Sequence, residues 1–243
     1  MPEPRLRTVE KVRPPFPLGQ FPPGTVLNVA ARIVYQLHTR CEARLEGSDW
    51  ERIFAESVGA NWTPSNIGLD DVRLDNCCWG AKTVKAGKPS LIGRIRLISG
   101  RNSLDYSYNQ SDSRGLSPTE IGTMVLGIYN ERVSAVRQRF KHCRTVVLVK
   151  SQDLGECAMF EFETLRYEPE RYSWEWNPRS NLEGYDEEGH HKFTWQPHGS
   201  QFTIVQQVPP DRVAFQVRLP PPMSFDFTMD ALGFDESWVT VLP

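Results

Sequence analysis

The stretch that decides the fold is IGLDDVRLDNCCWGAKTVK, residues 67–85. Its two halves, IGLDDVRLD and NCCWGAKTV, are strand-like runs joined by a tight turn, so they predict two neighbouring strands. Side chains alternate between the two faces of a strand. We therefore expect Asp70 or Asp71 on the first strand to be accompanied by Lys82 on the second, with Gly80 on the same face as Lys82.

Two helices are predicted before this stretch. Residues 25–46 carry apolar side chains at helical spacing and few helix breakers. Residues 49–60, DWERIFAESVGA, predict a second helix that ends near Gly59, with Ser48 or Asp49 as its N-cap.

The stretch is followed by a second alternation of strands and helix. SLIGRIRLIS, residues 90–99, predicts a third strand. Ser117 caps a long predicted helix over residues 118–140, because Pro stands at its first position and Glu in its first turn. TVVLVK and ECAMFEFETLRY, residues 145–150 and 156–167, predict two more strands. A helix between strands indicates a crossover, so part of the sheet should be parallel.

These elements predict an α/β fold in which helices flank a mixed central sheet. Residues 1–24, rich in Pro and Arg, predict an unpacked arm, and residues 25–167 form the core. Residues 168–243 predict a β-rich C-terminal part of the same domain, with strand-like runs at KFTWQPHGSQFTIVQQV, RVAFQVRL and SWVTVL.

Charge is distributed unevenly along the chain. The net charge of −2 argues against a non-specific polycation such as a chromatin coat. Residues 76–104 nevertheless contain no Asp or Glu while carrying several basic residues, namely Lys82, Lys85, Lys88, Arg94, Arg96 and Arg101. A basic segment of this kind is compatible with nucleic acid bound in one cleft.

Cysteine usage and hydropathy predict the compartment. The five cysteines are an odd number and include no CxxC pair, which favours a reduced protein without a disulfide framework. No apolar run is long enough to cross a bilayer, and the N-terminus is too polar for a signal peptide. We expect a cytoplasmic protein that does not bind membranes.

An Asp and a Lys on adjacent strands suit phosphodiester hydrolysis. Such a reaction needs a carboxylate that holds Mg²⁺ beside the phosphate and a cation that organises the nucleophile or offsets developing charge. In Asp70-Asp71 and Gly80-Ala81-Lys82 the chain resembles the PD-(D/E)XK nuclease superfamily, which includes many type II restriction endonucleases. The resemblance covers residues 25–162 and implies Mg²⁺-dependent cleavage of double-stranded DNA, commonly by a homodimer acting on a palindromic site.

The resemblance also implies roles for single residues. Asp71, with Asp70 as the alternate, would ligate Mg²⁺, and Lys82 would position or help deprotonate the attacking water. The chain departs from the motif at its second acidic position, where Gly80 stands. Glu56, on the predicted helix before the acidic strand, is our first candidate for the missing carboxylate. Glu51 and Glu42 are weaker candidates.

Two polar segments are candidates for DNA contact, since Arg reads guanine and Asn or Gln reads adenine. They are the loop of residues 99–112 and the hairpin of residues 190–203. With the basic segment, they supply the predicted contacts Lys85, Lys88, Arg94, Arg96, Arg101, Asn102, Tyr106, Asn109, Gln110, Gln196, His198, Ser200 and Gln201.

Other readings of the sequence stay open. Both polar segments could be ordinary solvated loops. His190, His191 and His198 could bind zinc or serve a histidine-based metal hydrolase. Gly80 favours a protein that keeps the fold and binds DNA without cutting it. Glu161 and Glu163 predict the polar face of a strand rather than a glycosidase pair, and Glu131 and Arg132 the polar face of a helix or a dimer contact.

Overall fold

A computed structural model describes residues 12–40, 42–113, 115–221 and 223–242. Short 3-10 turns lie at Pro89–Leu91, Pro169–Arg171 and Glu236–Trp238. The helices and strands follow along the chain as α1 (Thr25–Arg40), α2 (Gly47–Val58), β1 (Asn61–Trp62), β2 (Val72–Leu74), β3 (Cys77–Lys85), β4 (Arg94–Arg101), α3 (Leu104–Tyr108), α4 (Pro118–Arg137), β5 (His142–Lys150), β6 (Glu156–Glu163), β7 (Ser173–Trp176), β8 (Leu182–Tyr185), β9 (His191–Gln196), β10 (Gln201–Gln207), β11 (Val213–Gln216) and α5 (Phe225–Leu232).

The first sheet is mixed and has the strand order β1-β2-β3-β5-β6-β11. β2 and β3 form an antiparallel hairpin whose turn contains Asp75 in a left-handed conformation. β3 and β5 are parallel, and the chain passes between them through α4. The predicted α/β class and the parallel crossover are therefore confirmed.

The second sheet is antiparallel, in the order β4-β10-β9-β8-β7. β4, the strand predicted at residues 90–99, belongs to this sheet and pairs with β10 from the C-terminal part. β11, from the C-terminal part, pairs with β6 at the edge of the first sheet. Strands from before and after residue 167 thus pair with each other in both sheets. Local periodicity does not predict pairing between segments so far apart in the sequence.

Each face of the first sheet has its own cover. α1 and α2 pack on the face that carries Trp79 and Val146. On the opposite face, Cys78 packs with residues of α4 and with Phe193 of the second sheet. The four described cysteines, Cys77, Cys78, Cys143 and Cys157, are buried free thiols.

The described part of the predicted N-terminal arm, residues 12–24, packs against the first sheet. Phe16 is buried and its ring stacks on Trp79, with centroids 5.5 Å apart. The Arg144 guanidinium donates to the Phe16 carbonyl oxygen over 2.9 Å. The expectation of an unpacked arm is wrong for these residues, because sheet side chains satisfy their backbone; residues 1–11 lie outside the described residues.

Several element ends differ from the prediction. α1 ends at Arg40, whose guanidinium forms two 2.7 Å hydrogen bonds with the Asp49 carboxylate. Glu46, rather than Ser48 or Asp49, is the N-cap of α2, with Asp49 completing a capping box. Ser117 caps α4 as predicted. The run SWVTVL, residues 237–242, begins in a 3-10 turn and is not part of a strand.

Candidate active site

The hairpin brings Asp71 and Lys82 together. β2 and β3 are registered with Val72 opposite Trp79. Continuing this register places Asp71 opposite Gly80, and Lys82 lies two residues further along the same face. The Lys82 Nζ is 4.0 Å from Asp71 Oδ2.

Asp71 is held in a buried position with half of its carboxylate unsatisfied. The side chain is 2% exposed, and Oδ1 accepts a 3.3 Å hydrogen bond from the Ser65 backbone N–H. Oδ2 is buried and accepts no hydrogen bond from any described residue. Burial raises the pKa of Asp71 to about 6, although the nearby Lys82 charge opposes the rise.

Lys82 is oriented by the turn that precedes the acidic strand. Its Nζ donates a 2.9 Å hydrogen bond to the Gly68 carbonyl oxygen. Burial lowers the pKa of Lys82, while the charges of Asp71 and Glu51 act in the opposite direction. The amine is therefore fixed beside the carboxylate and loses its proton more readily than a solvated lysine does.

Gly80 occupies a position where a side chain would crowd the neighbouring backbone. A Cβ there would lie 3.0 Å from both the Gly68 carbonyl oxygen and the Leu69 Cα. Both neighbours are backbone atoms, which cannot swing aside as a flexible side chain can. A side chain at residue 80, such as the carboxylate that the resemblance implies there, would require the backbone of the turn that binds Lys82 to move.

Asp70 does not join this site. It is fully buried, with Oδ2 accepting from Arg73 over 2.7 Å and lying 3.1 Å from an Arg139 nitrogen. Both guanidinium groups also lie over the Phe140 ring. Asp70 therefore anchors Arg73 of β2 and Arg139, which follows the end of α4, and the alternate role given to it is corrected.

The two glutamates of α2 differ in their relation to Asp71 and Lys82. Glu56 is exposed and forms an ion pair with Arg32 of α1. Glu51 accepts a 3.1 Å hydrogen bond from Trp62 Nε1, and its charge acts on the pKa of both Asp71 and Lys82. About one and a half helical turns separate the two glutamates, and sequence alone does not show which faces the hairpin.

Arg132 is a nearby cation that sequence reasoning placed on an outer helix face. It is half-buried on α4 and donates 2.8 Å to Asn102 Oδ1, while its positive charge contributes to the lowered pKa of Lys82. A Cβ at Gly100, whose φ is +104°, would lie 2.4 Å from Arg132 Nη1. In the sequence, Gly100 at the start of the polar loop is a signal that a side chain from another element, here Arg132, lies close to the backbone.

Among the predicted DNA contacts, three line one groove. Arg96, Gln196 and Gln201 face a cavity of about 660 Å³ on the outer side of the second sheet. Asn177, Pro178, Arg179, Asn181 and Glu183 complete one wall, and Ile98 and Thr203 lie at its base. Arg96 also donates to Thr194 Oγ1 over 2.8 Å.

The other predicted contacts are dispersed. Lys85 ends β3 of the first sheet, whereas Arg94 and Arg101 bound β4 of the second. Those on or near the molecular surface are Lys85, Lys88, Arg94, Arg101, Tyr106, Asn109, Gln110, His198 and Ser200.

Asn102 is fully buried and supports the fold. Its amide nitrogen donates 2.7 Å to the Val125 carbonyl oxygen, and its Oδ1 accepts from Arg132. A side chain in this position has no free edge for a base, so Asn102 is not retained as a DNA contact.

The histidine-rich hairpin does not gather its three histidines into one metal site among the described residues. His190 lies near Asp186 and Glu188, with potential ligand atoms within 4.8 Å of one another, but His190 and Glu188 are exposed. His191 Nε2 contacts the Phe193 carbonyl oxygen at 2.7 Å. His198 lies in the β9–β10 turn. Without His191 and His198, the Asp186 group is a solvated turn rather than a built centre.

The comparisons with known proteins add no family to this geometry. No protein family model matches the chain, and no curated protein or solved structure matches it significantly. Within the described residues, each helix is too short or too polar to span a membrane.

Proposed function

We propose that the chain is a metal-dependent endonuclease of the restriction-enzyme kind, which hydrolyses phosphodiester bonds of double-stranded DNA. The observation that carries this proposal is the buried Asp71 Oδ2, which lacks a hydrogen bond from the described residues and lies 4.0 Å from Lys82 Nζ. Further support comes from the chain order of α2, β2 with Asp71 directly before it, β3 with Lys82, α4 and β5.

The donor set fits Mg²⁺. This cation prefers carboxylate oxygens and keeps several waters, and Asp71 offers a buried oxygen that accepts no hydrogen bond from the described residues. Glu51 is the second candidate ligand, because its charge already acts on Asp71. Bound Mg²⁺ would polarise the phosphate and lower the pKa of a water.

Lys82 and Arg132 would perform the remaining tasks in the hydrolysis. Lys82, held by the Gly68 carbonyl oxygen, is placed to orient a nucleophilic water and to accept or return a proton at Nζ. Its lowered pKa increases the fraction of neutral amine at mildly alkaline pH. Arg132 adds positive charge that favours a phosphate near Lys82.

The groove on the second sheet supports sequence-specific binding. Arg96, Gln196 and Gln201 present guanidinium and amide groups of the kinds that pair with base edges. Exposed cations on β4, such as Arg94, suit phosphate contacts. A target site with two-fold symmetry, bound by a dimer, belongs to this proposal.

A non-cutting DNA-binding protein is the rival that the glycine favours. Gly80 excludes the usual second carboxylate, so catalysis depends on Glu51 taking its place. The two functions differ in one outcome, because the rival retains DNA without producing new ends at any Mg²⁺ concentration.

The test is digestion of genomic DNA by the purified chain with Mg²⁺, followed by sequencing of the fragment ends. We expect discrete ends that share one sequence. Lys82→Ala should reduce cleavage at least about 100-fold while DNA binding persists. Unchanged cleavage by this variant contradicts the proposed mechanism.

Two glutamates on the same helix provide a matched pair of variants. Glu51→Gln should lower the cleavage rate by about 100-fold, with partial recovery at high Mg²⁺. Glu56→Gln, which breaks an exposed ion pair, should stay within about threefold of the parent chain. The reverse order of effects would restore Glu56 as the ligand and exclude Glu51.

A further inference from the structure

Asn102 joins α4 to the β9–β10 hairpin through four hydrogen bonds. Its backbone N–H donates to the Ser200 carbonyl oxygen over 2.7 Å, and its carbonyl oxygen accepts from Trp195 Nε1 over 3.0 Å. Its side chain donates to the Val125 carbonyl oxygen of α4 over 2.7 Å and accepts from Arg132 Nη2 over 2.8 Å. Because Asn102 is fully buried, water does not compete for these bonds. Asn102 therefore fixes Arg132 relative to the hairpin.

Arg132 is a half-buried cation without a counter-charge among the described residues. Its Nε is buried and forms no hydrogen bond with them, and its Cζ lies 5.7 Å from the centre of the Tyr129 ring. Burial lowers the pKa of Arg132 and only Tyr129 opposes this shift, so none of the described carboxylates offsets the lost hydration. Buried charges are normally paired. Arg132 therefore has the character of an anion-binding side chain, and its planar guanidinium suits a phosphate.

The position of Arg132 directs this charge toward the candidate active site. α4 packs on the sheet face that carries Cys78, and strand alternation puts Gly80 and Lys82 on the same face. The positive charge of Arg132 acts there on the pKa of Lys82. A phosphate bound beside Lys82 and Asp71 would therefore meet a second cation, supplied by α4.

The hairpin end of this connection carries two of the predicted DNA contacts. Trp195 directly precedes Gln196, and Ser200 directly precedes Gln201. Both glutamines line the groove on the second sheet. Each hairpin residue bonded to Asn102 is thus a sequence neighbour of a glutamine of the groove.

We propose that Asn102 is a positioning residue for DNA hydrolysis, which holds Arg132 against the β9–β10 hairpin so that its guanidinium binds the phosphate beside Lys82. Asn102 is buried and acts only through Arg132. This role rests on the proposed nuclease function and deepens it. A guanidinium free to change its position would lose part of its effect, because transition-state stabilisation depends on donors that are already in place.

A double-mutant cycle on cleavage kinetics tests this role. Arg132→Ala should lower kcat about 100-fold and Asn102→Ala about tenfold, while KM for the DNA target changes by less than about threefold. The double variant should be no slower than Arg132→Ala alone, because Asn102 acts through Arg132. Independent effects, which would multiply to about 1000-fold, or a parental kcat in Asn102→Ala, overturn the proposal.

Asn130 provides a matched control, because it is another buried amide on the same side of the fold and belongs to α4. It is 6% exposed, donates to the Tyr167 carbonyl oxygen over 2.7 Å and accepts from the Tyr167 backbone N–H over 2.8 Å. Asn130→Ala should lower the unfolding temperature as Asn102→Ala does, yet keep kcat within about threefold of the parent. Equal losses of kcat in the two variants would reflect general destabilisation and overturn the proposal.

Trp195→Phe tests the same connection if Asn102→Ala does not fold, because it keeps a buried ring and removes one hydrogen bond to Asn102. It should lower kcat about threefold or more in the parent and have no effect in the Arg132→Ala background. Trp174→Phe is the control and should keep the parental kcat, because Trp174 Nε1 forms no hydrogen bond with a described residue. A parental kcat in Trp195→Phe contradicts the connection to the hairpin.

The parent chain separates this role from the nuclease function on which it rests. A parent that cuts no DNA at any Mg²⁺ concentration contradicts the nuclease function and the role of Asn102 with it. A parent that cuts DNA, combined with any of the contrary outcomes above, contradicts the role of Asn102 alone.

Discussion

Burial and charge oppose each other at Asp71. The hairpin register brings the carboxylate beside Lys82, yet burial makes its ionised form costly. Lys82 offsets part of this cost at 4.0 Å, and Oδ2 accepts no hydrogen bond from the described residues. The turn at Gly68 affects residue 80 as well. Its carbonyl oxygen orients Lys82, and its backbone would crowd a side chain at residue 80.

Asp71→Asn should stabilise the folded chain at alkaline pH. The folded pKa of about 6 lies above the ordinary value of 3.8, so the folded state binds the proton more tightly and its stability falls as pH rises through this window. Asn resembles the protonated form and avoids that loss. We expect a gain of about 2 kcal/mol at pH 8, measured by urea unfolding without metal.

The gain from Asp71→Asn should shrink toward zero near pH 4, where the native carboxyl becomes protonated. The same variant should lose DNA cleavage and lose the stabilisation that added Mg²⁺ gives to the parent chain. A variant less stable than the parent at pH 8 would contradict the assigned burial of the charge.

Among the elements, α4 sets how closely the two sheets approach. Gly122, on its buried face, lies against the indole of Trp174 from β7, and a Cβ there would be 2.2 Å from Trp174 Cδ2. Gly127 lies one and a half turns further along, where a Cβ would meet the Tyr108 hydroxyl at 2.5 Å. The indole is packed in the core, whereas the phenol end belongs to an exposed side chain.

Alanine at these two glycines should therefore have different effects. Gly122→Ala should destabilise the chain by about 2 kcal/mol, because overpacking outweighs the gain in helix propensity. Gly127→Ala should change stability by less than about 1 kcal/mol, because Tyr108 can move and the propensity gain offsets its lost hydrogen bond. Equal effects in thermal unfolding would show that α4 does not control the spacing.

At the scale of the whole molecule, a buried ion pair of the first sheet also binds the backbone of residues 12–24, here called the N-terminal strap. Glu161 lies 3.0 Å from Arg144 Nη1 and also accepts from Trp79 Nε1 and from the Gly19 backbone N–H. The sequence predicted Glu161 on a polar strand face beside Glu163. Only Glu163 is partly exposed, because residues 12–24 cover the face that Glu161 occupies.

Glu161→Gln should cost about 3 kcal/mol, because it leaves the Arg144 charge buried without its counter-charge. Glu163→Gln, at a partly exposed ion pair with Arg137, should change stability by less than about 0.5 kcal/mol. Chemical denaturation of both variants at neutral pH measures the difference. A small effect at Glu161 would mean that the strap does not bury the pair in solution.

Local sequence patterns were enough to predict most helices and strands and about half of the candidate site. The helix start at Ser117, the hairpin around Asp75 and the side shared by Asp71 and Lys82 follow from capping, turn chemistry and strand alternation. The partner of β4 and the packing of residues 12–24 depend on distant segments. Contacts between such distant segments produce no local periodicity from which they could be predicted.

What the amino-acid sequence determined by itself is the α/β class, the hairpin, and an aspartate and a lysine on one face of it. Those features were predictable because periodicity and turn residues act over a few neighbouring positions. Only the tertiary structure decided that the charge of Glu51 acts on Asp71 while Glu56 pairs with Arg32, that Asp70 binds arginines, and that Asn102 accepts a hydrogen bond from Arg132. Those outcomes depend on which surfaces meet in space, and neighbours distant in sequence decide that.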